Sequence, residues 1–75
     1  GRRSEAREAL QSARRIDPRD SAIAYALAVF YAQQGQWELA LPHARDLIAL
    51  APGEPEPRQL LQSIERELAA ERSSP

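Results

Sequence analysis

A chain of 75 residues holds one small domain, because short chains bury little of their surface and must draw stability from closely matched packing. The absence of cysteine excludes a disulfide framework and a thiolate metal site. A net charge of -1 hides a split, with six arginines against four acids in residues 1–20 and four arginines against seven acids in the rest.

Alanine, leucine, arginine, glutamate and glutamine dominate between punctuating Pro and Gly residues, so helices are expected and strands are not. The first helix, about residues 3 to 16, places Ala6, Ala9, Leu10, Ala13 and Ile16 at spacings of three and four. Its Arg2, Arg3 and Arg7 could meet nucleic acid. Glu5 and Glu8 are interleaved with them at helical spacing, however, which is the pattern of a solvated, ion-paired face. All ten basic residues of the chain are arginine, a bias that genomic composition explains more simply than a need for bidentate contacts. Asp17-Pro18 ends this helix, and Asp20 is the expected N-cap of a second, which runs to about Gln34 and stops at Gly35. The third helix covers roughly Trp37 to Leu50. Pro42 lies inside it and should distort its first turn, since it removes a bond to the Glu38 carbonyl. The fourth begins near Pro55 and Pro57, which fit a first turn whose N–H groups lack intrahelical partners, and runs to about Arg72. No apolar run reaches the roughly 18 to 20 residues that cross a bilayer, and no signal-type stretch follows the arginine-rich start. A soluble segment without an address is therefore expected.

The connections are a few residues long, so successive helices should be antiparallel neighbours. The punctuation repeats: Pro52 follows Pro18, and Gly35 follows Gly1, each by 34 residues. That period is the mark of a helical solenoid. Within residues 21–54, Ala24, Leu27, Ala28 and Tyr31 are followed by Ala40, Ala44 and Pro52. This spacing resembles the tetratricopeptide repeat family, with its pattern W-x2-L-G-x2-Y, then A-x3-F, then P. Ala24 and Ala44 depart from the pattern by being small where the family prefers bulk. The turn Gly35-Gln36-Trp37-Glu38-Leu39-Ala40 also looks like the family's inter-helix turn.

The resemblance implies an all-α fold of stacked helical hairpins in a single domain over 1–75, with 21–54 as a complete repeat. Residues 1–18, through Gly1, Ala6, Leu10, Ile16 and Pro18, resemble the second helix of a preceding repeat. Residues 55–72 resemble a capping helix, since Gln62 and Glu65 stand where Ala28 and Tyr31 stand one period earlier, and 73–75 form a tail. Opening on glycine partway through a repeat is what a piece of a longer protein would do. Leu10, Ile16, Leu27, Tyr31, Leu39, Leu47, Leu50 and Leu61 are expected to be largely buried.

Nothing in the sequence assembles catalytic machinery, so no enzyme, cofactor or metal site is expected. His43 is the only histidine and has no ligand set around it; a surface contact with Asp46, three residues on, is the better expectation. The serines have no histidine at a suggestive position, and no Gly-rich phosphate loop occurs. Trp37 could anchor a partner, but an aromatic at a hairpin turn more economically fills the junction between helices.

The second helix carries the functional signal, because every residue from Ala22 to Ala32 is apolar. With Ala24, Leu27, Ala28 and Tyr31 turned to the core, Ala22, Tyr25, Val29 and Gln33 fall on another stripe. In the family resembled, first helices of successive repeats line a concave groove that binds peptides or helices. That would set Tyr25, Val29 and Gln33 beside Gln59, Ser63 and Arg66. The family's best-known clamp holds a terminal carboxylate with cationic and amide side chains, whereas Tyr25, Val29 and Leu60 occupy the corresponding places here and supply no such donors. The expected function is thus a scaffold that presents a partly apolar groove to a protein or peptide partner. Two alternatives stand beside it. One is a homo-oligomer formed through the second helix, with Tyr25 and Val29 at its centre and Ala22 and Ala32 beside them. The other is a helical array binding single-stranded RNA, against which stand Glu56 and Glu67 flanking Arg66.

Overall fold

The computed structural model describes residues 2–73, in which four helices run in sequence: α1 (Arg2–Ile16), α2 (Ser21–Gln33), α3 (Trp37–Leu50) and α4 (Pro55–Ser73). There is no strand among these residues. The expected register of Gly1 with Gly35 lies outside the described residues, as do 74 and 75, whereas Ser73 belongs to α4 and not to a tail.

Local chemistry sets the boundaries. The Asp20 carboxylate accepts from the backbone N–H groups of Ala22 (2.9 Å) and Ile23 (3.4 Å), which otherwise lack partners at the start of α2. At the other end, Gly35 adopts φ 73°, where a side chain would be strained. The chain then folds back so that Gln36 N–H reaches the Tyr31 carbonyl (2.9 Å) and Gly35 N–H the Ala32 carbonyl (3.0 Å), satisfying the last acceptors of α2. Asp17 tightens the α1–α2 turn by accepting from Arg19 N–H at 3.3 Å. Pro42 is exposed, and α3 passes through it as one element.

The elements pack in chain order: α1 on α2, α2 on α3, α3 on α4. The result is a short solenoid of antiparallel hairpins with extents of 40 × 36 × 14 Å. Its radius of gyration of 12.6 Å exceeds the about 11 Å of a compact globule of this length, as a thin slab requires. A slab this thin has room for few large interior side chains. Ala24, Ala28, Ala40 and Ala44 are fully buried, and Leu27 and Ile64 are the largest side chains so enclosed. The α2 and α3 backbones therefore meet across alanines, while α4 contributes Pro57, Ile64 and Leu68.

Of the side chains expected inside, Leu27, Tyr31 and Leu47 are buried and Leu10, Leu50 and Leu61 half-buried. Ile16 and Leu39 are corrections, being 85% and 50% exposed. Each three-residue step on a helix falls about 60° behind a full turn, so Ile16 lies about 120° from Leu10 and leaves the docked stripe. Leu39 precedes Ala40 by about 100° on α3 and falls outside the Ala40–Ala44–Leu47 line. Trp37 is half-buried against the core, as a junction-filling residue should be.

Ala28→Leu should overfill the α2–α3 contact and cost about 1 to 3 kcal/mol, read as a lowered thermal midpoint. An unchanged midpoint would show that Ala28 is not held at a close contact.

Candidate functional site

Two places in the slab gather side chains beyond the alanine contact. The first is a seam where α1 meets α2 and α3. Gln11 Nε2 donates to the Tyr31 hydroxyl at 2.8 Å, and Arg14 of α1 pairs with Asp46 of α3 while also donating to the Pro18 carbonyl at 3.0 Å. Tyr31 is enclosed by aromatic rings, with Phe30 edge-on at 5.6 Å and His43 stacked at 5.8 Å and 14°. The expected surface contact between His43 and Asp46 does not form. His43 instead turns inward onto Tyr31, and Arg14 takes the Asp46 carboxylate.

His43 Nδ1 is buried without a hydrogen-bond partner. A proton there would place charge on a partly buried ring beside another cation, so burial first and Arg14 second hold the imidazole pKa below 6.5, with Asp46 pulling the other way. This seam is built for docking. Among the described residues no three of His, Cys, Asp and Glu come together to hold a metal ion.

The second place is a cleft of about 360 Å³ between the start of α2 and the junction of α3 with α4. Ser21, Ala22 and Tyr25 form one wall; Leu47 and Ala51 close the base. The opposite side is Glu54, Glu56 and Pro57. Leu47 and Pro57 are buried, so the base is apolar, while the Tyr25 ring stands 46% exposed at its edge. This tyrosine is open because α2 directs its stripe of Ala24, Leu27, Ala28 and Tyr31 to the core, leaving the residue after Ala24 on the outer wall.

Of the six residues expected in a groove, only Tyr25 lines this cleft. Val29 is half-buried further along α2, and Gln33, Gln59, Ser63 and Arg66 are exposed. The sequence reading took Glu54, Glu56 and Pro57 as signals of a helix start, and Glu56 also as an acid near the groove that disfavours RNA. Their place in the cleft comes from the packing of α4 on α3, which no local spacing encodes, although Pro57, Leu61, Ile64 and Leu68 do follow steps of three and four that mark the docking stripe.

Antiparallel hairpins added one after another, with an apolar cleft left between elements, define a helical-repeat protein. The chain belongs to the tetratricopeptide repeat family, whose model matches residues 1–64. No characterised protein and no solved structure gave a match. Domains of this family generally mediate protein–protein interaction and are in general non-catalytic scaffolds. No described helix is long and apolar enough to cross a membrane.

The lowered His43 pKa has a consequence for stability. The unfolded chain binds this proton more tightly than the folded one, so the His43 contribution is complete above pH 6.5 and is lost as the pH falls through the folded-state value. Thermal midpoints of the wild type and of His43→Phe, which keeps a ring against Tyr31, should diverge between about pH 7 and pH 5, with only the wild type losing the histidine-linked part. A difference between the two that is flat with pH would contradict the assignment.

Proposed function

We propose that this chain is an interaction module that presents the face between α2 and α4 to a peptide or helical segment of another protein. The observation that carries the reading is Tyr25, a large aromatic left 46% exposed beside an apolar cleft of about 360 Å³. Tyrosines are common centres of binding energy in interfaces, and the volume lies at the lower end of sites that hold small ligands. The groove would extend from the cleft along Val29 and Gln33, with Gln59, Ser63 and Arg66 on the α4 side. A nucleic-acid ligand is disfavoured because the cleft lining holds two carboxylates and no arginine.

Short peptides selected on the immobilised chain from a random display library test this reading. Tyr25→Ala should weaken the selected peptides by about tenfold or more while changing stability by about 0.5 kcal/mol or less, as surface substitutions do. Full retention of binding by Tyr25→Ala would move the site elsewhere.

Self-association through α2 is a second reading, favoured by the complete absence of charged residues from Ser21 to Gln33. Two such helices could cover each other without burying an ion, in a contact that closes on itself. Sedimentation equilibrium should then show a dimer that Val29→Glu dissociates, since a carboxylate would enter the contact unpaired. A wild type that stays monomeric at about millimolar concentration would remove this reading, consistent with the standard scale for weak association.

A further inference from the structure

We propose that the cleft selects a peptide segment in which a large apolar side chain sits next to an arginine or lysine. The inference rests on the groove reading above and adds the chemistry of its occupant.

The base of the cleft, Leu47 and Ala51, and the neighbouring Ala22 and Pro57 offer apolar side chains to an inserted group. Such a base takes a leucine, isoleucine or aromatic ring but does not discriminate by charge. The wall from α2 adds none, since that helix carries no charged residue. All formal charge in the lining comes from Glu54 and Glu56, both exposed and both negative.

These carboxylates are free to accept. Among the described residues the one ion pair joins Arg14 to Asp46, on the α1 seam. Arg58, the arginine nearest in sequence, does not line the cleft and donates its Nη2 to the Pro52 carbonyl at 3.3 Å. The ordinary explanation of acids at a helix start is that they complement its positive end, which carries roughly half an elementary charge. Two carboxylates exceed that, and the mouth of the cleft keeps a net negative charge. A guanidinium or ammonium beside the apolar anchor would meet both carboxylates at the rim and could lie against the exposed Tyr25 ring as well. An acidic segment or a terminal carboxylate would meet like charge with no cationic side chain in the lining to offset it.

The selected peptides should be enriched in arginine or lysine within a residue or two of a large apolar residue. By fluorescence anisotropy, the Glu54→Gln/Glu56→Gln variant should bind them about threefold to tenfold more weakly, the scale of two exposed charge pairs. Raising the salt concentration should weaken the wild type in the same way and leave the double variant unchanged. Peptides that lack cationic residues, or that ignore the double substitution yet are lost on Tyr25→Ala, would overturn this inference and leave the groove reading standing. Peptides insensitive to all three substitutions, or a library that yields no binder, would overturn both. Enrichment of acidic peptides would show the charge preference to be reversed.

Discussion

The contact of α2 with α3 at Ala28, Ala40 and Ala44 is the constraint on which the other parts of the structure hang. Side chains of one carbon let two backbones approach closely, so many weak dispersion contacts replace the volume that a chain of this length cannot enclose. With the hairpin drawn together, Leu27 and Tyr31 project from α2 toward the neighbours. Tyr31 then meets α1 through Gln11, and Leu27 and Ala28 share one core with Ile64 and Leu68 of α4. A larger residue at any of these three alanines would part the helices and disturb both outer contacts together.

The two outer contacts are not equivalent. α4 buries Pro57, Ile64 and Leu68, whereas α1 buries no side chain fully and holds on through Leu10, the Gln11–Tyr31 hydrogen bond and the Arg14–Asp46 pair. Asp46 is well exposed, so that pair contributes at most about 1 kcal/mol and weakens with salt. Opening should therefore cost least at α1 and most at the α2–α3 hairpin. Protonating His43 would add a charge beside Arg14 at this same lightly held joint.

Elements governed by local chemistry were legible in the sequence. The Asp20 cap, the left-handed Gly35 and the helix from Trp37 to Leu50 each follow from the residues at that point, and the spacing of Leu27, Ala28, Tyr31 and Ala40 identified the family. Facing was less legible. Ile16 was assigned to the core by its spacing on the first helix and by the repeat register, although successive steps of three from Leu10 wind off the stripe. His43 was placed on the surface because its own helix offers Asp46, while its stacking partner comes from α2 and the claimant for Asp46 from α1. The same limit hid the cleft, whose lining is drawn from three helices.

The division of labour in that cleft bears on how such a module changes partners. α2 supplies uncharged apolar surface from the helix that also builds the core, so changes at its core-facing Leu27, Ala28 and Tyr31 risk the hairpin while the exposed Tyr25 lies outside it. Glu54 and Glu56 lie at the start of α4, exposed and outside the core, where substitution leaves packing untouched. In the proposed groove, affinity would come from a wall fixed by folding, and discrimination from charges whose replacement costs the fold little. Its specificity would then change more readily through Glu54 and Glu56 than through the core-facing positions of α2, because that helix serves packing as well.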